Sequence, residues 1–231
     1  MGLPNGVHHL ALMTQDIKAQ IEFFTDVLGA ELKALYWMHG VPGAWHGFLQ
    51  LNEHSYIAFV QTPEVADIQP VVGVSHAANP GAPSAGGTMQ HIAFNVNNID
   101  ELLAMRDRIR DRGINIYGPI DHGMCHSIYF AGLEGLNLEL SFSQVGIDER
   151  AWIDPEVVAL AGISPDELAR YIAPLAFSSR NGAVVQPPID PAKPHAAYNQ
   201  RTYEFLMTTA DDVITKTLSM PEPPVAVTPR R

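Results

Sequence analysis

Two histidines and one glutamate lie in short runs of alternating residues that predict β-strands. His9 opens HLALM, His91 opens the similar run HIAFN, and Glu139 is at the centre of NLELSF. Because alternate residues of a strand face the same side, these three side chains point away from the apolar residues beside them. A carboxylate in such a strand is costly to bury unless it is paired or bound to a cation. Together the three residues are a candidate divalent-metal site.

An internal repeat supplies the elements that would position these residues. Residues 9–17 read HLALMTQDI and residues 91–99 read HIAFNVNNI. Each run leads into a pattern of apolar residues at helical spacing, which ends at Gly29 in the first half and at Gly113 in the second. Two strand-like runs are then recognisable in each half: 47–51 and 55–61, and 126–131 and 137–142. The pattern predicts a unit of strand, helix and about three strands that is used twice.

Composition shifts divide the chain further. The modules occupy about 5–62 and 88–145, and the segment 63–87 between them is either a linker or a functional loop. Nine of the 18 prolines fall from Pro174 onward, so the C-terminal extension 146–231 has few ways to build its own core. Its one clear element is a helix over about 165–172, which a capping box with proline at the first helical position predicts. We expect the extension to wrap the domain or a neighbouring subunit, which favours a homodimer.

The overall composition excludes several classes of function. The 231 residues carry 14 Lys and Arg against 25 Asp and Glu, a net charge of −11, which argues against a nucleic-acid ligand. No apolar run is long enough for a membrane span, and MGLPNGVHHLAL does not resemble a secretory leader. The single cysteine, Cys125, has no partner for an internal disulfide. We therefore expect a cytoplasmic protein that binds neither membrane nor nucleic acid.

Three segments resemble one known superfamily. HHLALMTQDIKAQIEFFTDVLG, QHIAFNVNNIDEL and GLEGLNLELS are similar to the glyoxalase/bleomycin-resistance/extradiol-dioxygenase proteins, also called vicinal oxygen chelate proteins, and the resemblance covers about residues 5–145. It implies an α+β fold in which two tandem βαβββ modules form a curved, partly open sheet around a metal site. The metal ligands that it implies are His9, His91 and Glu139. A fourth ligand position, which holds a carboxylate in glyoxalase-like members, falls here on Ala58.

The resemblance also implies the metal and a second set of residues. Two histidines and one carboxylate suit Fe(II), with Mn(II), Zn(II) or Ni(II) as alternatives. The run IDHGMCHSIYFAGLEGLNLE approaches the extradiol dioxygenase signature, in which a histidine and a tyrosine precede the metal glutamate. His122 and Tyr129 hold those positions, although Gly132-Leu133 replaces the usual polar-Pro pair. His54 comes just before the strand SYIAF, one residue before the position that the acid/base histidine occupies in the family.

Ordinary structural interpretations stay open for several of these residues. Tyr129 could be a plain sheet residue, since tyrosine is common in strands, and His122 could cap the turn after Asp121. Three further histidines, His39, His46 and His76, lie in Gly- and Pro-containing stretches and are expected to be exposed or at a pocket rim.

The sequence supports one leading hypothesis and two alternatives. The leading hypothesis is an Fe(II)-dependent ring-cleaving dioxygenase that acts on a catechol-like aromatic diol and O₂, with Tyr129, His122 and His54 as its catalytic residues. The first alternative is a divalent-metal lyase or isomerase of the glyoxalase type, which Ala58 disfavours because it removes the commonest base. The second is a metal-free, resistance-type protein that binds a small molecule.

Overall fold

Each half of the repeat folds into a four-stranded sheet with one main helix. A computed structural model describes residues 4–178 and 182–226. The first module contains β1 (His9–Met13), α1 (Ile17–Phe23), β2 (Glu31–Trp37), β3 (Trp45–Asn52) and β4 (Ser55–Gln61). The second contains β5 (Ile92–Asn95), α2 (Ile99–Asp111), β6 (Ile116–Asp121), β7 (His126–Ala131) and β8 (Asn137–Phe142). The sequence had indicated all of these elements except β2 and β6.

The two sheets have the same topology. Their strand orders are β1-β4-β3-β2 and β5-β8-β7-β6, so the first and last strands of each module are neighbours. This pair, at one edge of each sheet, is parallel, and the remaining pairs are antiparallel. Both sheets are open rather than closed into a barrel. The prediction of two βαβββ modules in an α+β fold is confirmed.

Side-chain caps fix where the two helices begin. The Asp16 carboxylate accepts a hydrogen bond from the backbone N–H of Ala19, and Asn98 accepts one from Glu101 in the same way. α1 continues as a π-helical turn over Phe24–Leu28 and ends at Gly29, whose φ of 78° favours glycine. These caps give both helices a defined direction away from β1 and β5.

The helices cover one face of each sheet and bury a shared core. Phe24 is fully buried and packs against Phe59 of β4 and Phe94 of β5, with ring centroids 5.1 and 6.1 Å apart. Leu10 and Leu12 of β1 also pack on this core, as their alternation predicts. The opposite face of each sheet, which we call the inner face, carries His9 in the first module and Glu139 in the second.

Polar side chains also join the modules. The Arg108 guanidinium on α2 donates hydrogen bonds to the carbonyl oxygens of Val27 (2.9 Å) and Asp26 (3.0 Å). Glu134, in the β7–β8 turn, accepts hydrogen bonds from the Gln15 backbone (2.6 Å) and from the side chain of the buried Gln20 (2.8 Å). Carboxylate and guanidinium hydrogen bonds are among the stronger ones in proteins, so they hold the two modules in one arrangement.

Short helices follow the second module. Residues Pro4–Pro174 form one structural unit, which includes α3 (Glu149–Trp152), α4 (Pro155–Leu160) and α5 (Pro165–Ile172). The capping box of Ser164 and Glu167 is formed, which confirms the predicted helix over 165–172. The described residues from Leu175 onward form a second unit.

The second unit contains two helices that the sequence patterns did not predict, α6 (Gln200–Thr208) and α7 (Asp211–Leu218). α6 begins at Asn199, whose side chain accepts a hydrogen bond from the backbone N–H of Thr202. Within 4–178 and 182–226, every helix is too short or too polar to cross a bilayer.

Candidate functional site

Strand register brings His91 and Glu139 together on the inner face of the second sheet. β5 and β8 are parallel, and Ala93 pairs with Glu139. His91 precedes Ala93 by two residues and therefore faces the same side. The His91 Nε2 atom lies 3.0 Å from Glu139 Oε2. Glu139 is only 5% exposed, so its carboxylate is a buried group whose partner is a histidine.

The spacing of this pair fits a shared divalent cation. Nitrogen and carboxylate ligands lie about 2.0–2.2 Å from such an ion, so two ligands at right angles are separated by roughly 3 Å. The observed separation of 3.0 Å satisfies that requirement. A cation would also compensate the cost of keeping the Glu139 carboxylate away from water. His91 and Glu139 are therefore able to act as two ligands of one metal ion.

His9, the third ligand that the resemblance implies, is placed differently. It is the exposed first residue of β1, and its ring packs against Phe48 and near His46, with centroids 5.3 and 6.4 Å away. Its Nδ1 atom lies 2.9 Å from Nδ1 of His8. In the part of the chain that the structure describes, no three His, Cys, Asp or Glu side chains are grouped closely enough to hold a metal ion. The ligand role of His9 stays a prediction.

Tyr129 and His122 lie together beside Glu139. Tyr129 on β7 is the direct register partner of Glu139. Its hydroxyl is 2.9 Å from Nε2 of His122, within hydrogen-bond distance. Burial raises the pKa of Tyr129, and the nearby Glu139 carboxylate raises it further, so the hydroxyl keeps its proton and remains a hydrogen-bond donor. His122 also closes a turn, because its backbone N–H donates to the Cys125 carbonyl at 2.8 Å.

His54 stands apart from this cluster. It lies in the tight turn between β3 and β4, and its side chain is 81% exposed. Its Nε2 atom is 3.8 Å from the Glu53 carboxylate, itself 88% exposed. The structure therefore brings Tyr129 and His122 to Glu139 but leaves His54 in solvent on the hairpin. Its proposed role in proton transfer stays a prediction.

His46 contradicts the expectation from sequence that it is exposed or at a rim. It is the second residue of β3 and only 8% exposed. Its ring lies 4.4 Å from that of Phe48 and 5.8 Å from that of Tyr36, measured between centroids. Burial lowers the pKa of His46, and the neighbouring His9 lowers it further. The alternation of His46, Phe48 and Gln50 is the available signal, but the predicted strand begins at 47, two residues after the start of β3 at Trp45.

Comparison with known proteins identifies the family. The family described as "Glyoxalase/Bleomycin resistance protein/Dioxygenase superfamily" matches residues 6–140, more than half of the chain. The chain belongs to this superfamily. Its curated relatives include biphenyl-2,3-diol 1,2-dioxygenases 2 and 3 of Rhodococcus globerulus, which are 26% identical over 144 residues and 23% identical over 143 residues. Each match covers 62% of this superfamily member, but only 65% and 66% of the relatives, just under two thirds of their length.

Two of the solved structures that match this chain cover about three fifths of it. A glyoxylase/bleomycin resistance protein/dioxygenase domain from Frankia sp. EAN1pec is 13% identical with a TM-score of 0.47, and the match covers 61% of this chain and 98% of that one. The fosfomycin resistance protein FosX from Listeria monocytogenes, complexed with Mn(II) and sulfate, is 17% identical with a TM-score of 0.42; that match covers 62% of this chain and 96% of FosX.

Proposed function

We propose that this superfamily member is an Fe(II)-dependent ring-cleaving dioxygenase that acts on a catechol-like aromatic diol and O₂. The observation that carries the proposal is the buried Glu139 carboxylate, with His91 at 3.0 Å and Tyr129 paired beside it. The dioxygenase relatives act on biphenyl-2,3-diol, as their names state, which supports an aromatic diol as the substrate class.

His91, Glu139 and His9 are the residues that would hold the metal. Two histidines and one carboxylate leave open positions, and Fe(II) in such a set supplies a common site where a diol and O₂ exchange electrons. His9 lies on the inner face of its sheet at the position that corresponds to His91. Joining the His91–Glu139 pair would require its exposed side chain to leave Phe48 and His8 by a change of rotamer.

Tyr129 and His122 are proposed to act on the oxygens of the substrate. The protonated Tyr129 hydroxyl donates a hydrogen bond to a diol oxygen and stabilises negative charge there. His122, 2.9 Å from that hydroxyl, is placed to accept or return a proton, which suits an imidazole near neutral pH. His54 is the third candidate for proton transfer, acting from the β3–β4 turn.

Ala58 supports ring cleavage over the glyoxalase type of reaction. In β4 it pairs with Ala11 as Glu139 pairs with Ala93 in the second sheet, so it occupies the position of a second carboxylate. It is fully buried. A lyase or isomerase that forms an enediolate needs a base near the metal, and this position does not provide one.

Metal analysis tests the proposal most directly. The protein is purified anaerobically without chelator, and its metal content is compared with that of Glu139→Ala and of the control Glu53→Ala, whose carboxylate is exposed on a turn. We expect near-stoichiometric iron in the wild type and the control, its loss in Glu139→Ala, and oxygen uptake with biphenyl-2,3-diol or simpler catechols. Zinc, nickel or manganese in place of iron would redirect the assignment to lyase or isomerase chemistry. Absence of metal from every sample would leave a binding protein.

A further inference from the structure

His46 is a buried polar side chain whose outer nitrogen has no hydrogen-bond partner among the described residues. Its Nε2 atom is shielded from solvent, and the residue as a whole is 8% exposed. Buried polar atoms are nearly always satisfied, because an unpaired one loses its hydrogen bonds to water without replacement. A partner that binds after folding is a physical reason to retain such a group.

The surroundings of His46 indicate what that partner is. The half-buried rings of Tyr36 and Phe48 lie beside it on the inner face, nearly parallel to each other, with an interplanar angle of 11°. They offer aromatic surface next to one polar atom. The exposed His9 ring is also adjacent, with its centroid 6.4 Å away. Its movement toward His91 and Glu139 would open space beside His46.

We propose that His46 is a ligand-binding residue: its Nε2 hydrogen-bonds a hydroxyl of an aromatic diol whose ring packs against Tyr36 and Phe48. The inference rests on the proposed function for the class of ligand. It adds a polar contact that the superfamily resemblance did not assign and gives the first module a role in substrate selection. The second module would then supply two of the three metal ligands, and the first would supply His9 and orient the ring.

Anaerobic calorimetry with catechol as the probe tests this assignment. Its dissociation constant is measured for the wild type, His46→Leu and His46→Gln, each in iron-loaded and metal-free form. The matched control is His126→Leu, a histidine on the equivalent strand β7 that faces the core side and stacks on Phe142. We expect His46→Leu to weaken binding about tenfold, the loss of roughly one buried hydrogen bond. His46→Gln, which keeps a polar atom near Nε2, and the control should stay within about threefold of the wild type.

Thermal unfolding separates binding from a structural role. Because Leu removes an unsatisfied buried group at similar volume, we expect His46→Leu to be at least as stable as the wild type. Weaker catechol binding in a protein of undiminished Tm supports the inference. An unchanged dissociation constant in His46→Leu, a loss of Tm that accounts for the weaker binding, or no catechol binding by the wild type would each overturn it.

The same data distinguish this inference from the proposed function. If the protein binds iron and turns over catechol, but its affinity for catechol does not depend on His46, the inference alone would be overturned. Binding that depends on His46 in a protein that takes up no iron would overturn the dioxygenase proposal and leave His46 as a residue of a ligand-binding protein.

Discussion

The two modules have the same strand order but carry different side chains on their inner faces. The parallel pair of strands aligns Ala11 with Ala58 in the first module and Ala93 with Glu139 in the second. The next strand places Phe48 opposite Ala58, and Tyr129 opposite Glu139. Equivalent backbone positions therefore carry an alanine and a phenylalanine in one module, and a carboxylate and a phenol in the other.

The contrast extends one step further along the same strands. His46 faces Val60 in the first module, whereas Ser127 faces Ser141 in the second. The two serine hydroxyls form a hydrogen bond of 3.0 Å, while His46 Nε2 has no partner in the described structure. The second inner face is thus internally satisfied around its carboxylate, and the first is an aromatic surface with one unsatisfied polar atom. The two modules therefore share one strand order, and different residues at equivalent positions give their inner faces different chemistry.

Glu139→Gln should produce the largest change, because it makes the second inner face neutral without changing its shape. We expect metal affinity to fall by about 100-fold or more, since an amide is a much weaker ligand than a carboxylate. Equilibrium titration with Fe(II) under anaerobic conditions measures this. Glu53→Gln, at an exposed turn, should bind metal as the wild type does. Unaltered affinity for Fe(II) in Glu139→Gln would show that Glu139 of the second module is not a metal ligand.

Ala58→Glu transfers the carboxylate to the first module and tests whether the modules are interchangeable. Ala58 is fully buried beside Phe48, and His9, at the position equivalent to His91, is exposed with its ring packed against Phe48. We expect the free energy of unfolding of the metal-free protein to fall by about 3 kcal/mol in urea denaturation. Ala11→Glu, at the exposed register partner of Ala58, should cost less than about 1 kcal/mol. Equal stabilities of the two variants would show that the buried position 58 accommodates a charge.

Exchanging the aromatic pair is expected to have an intermediate effect. Tyr129→Phe removes the hydroxyl that lies 2.9 Å from His122, and on the proposed mechanism kcat should fall by about 10- to 100-fold with metal content unchanged. Phe48→Tyr adds a hydroxyl at the equivalent position of the first module and should not restore the activity. Oxygen-uptake kinetics on both variants and on the double exchange measure this. Full activity in Tyr129→Phe would show that the Tyr129 hydroxyl has no part in catalysis and that Tyr129 is an ordinary sheet residue.

Much of this contrast was readable from the sequence because strand alternation is a local property. The parity of His91 and Glu139 and the alignment of Ala58 with Glu139 follow from a period of two and from an internal repeat. The edge strands β2 and β6 were missed, since Glu31–Trp37 and Ile116–Asp121 carry weaker apolar alternation and are mostly exposed. Glu134 shows another limit: its bonds to Gln15 and Gln20 join residues more than a hundred positions apart, which no local pattern indicates.

The candidate site was only partly predictable for a related reason. The contact of His122 with Tyr129 depends on the turn that returns the chain to β7. The signature match singled out both residues but did not give the distance between them. The burial of His46 depends on the rings of Tyr36 and Phe48, which come from a neighbouring strand and from its own. Side-chain direction follows from alternation, but burial requires knowledge of the neighbours across the sheet.

The pH dependence of stability provides the smallest and most specific test of the contrast. Burial first, and then His9, lowers the pKa of His46 below its ordinary value near 6.5. The unfolded chain therefore binds a proton at a higher pH than the native state, so stability is lost as the pH falls from about 6.5 toward the native pKa. At the equivalent position the second module has Ser127, which does not titrate in this range. Urea unfolding of the metal-free protein between pH 7.5 and 5 should give a shallower loss of stability for His46→Leu than for the wild type. Identical pH dependence of the free energy of unfolding in the wild type and His46→Leu would mean that His46 is protonated as readily in the native state as in the unfolded chain. The inner face of the first module would then not keep this histidine neutral.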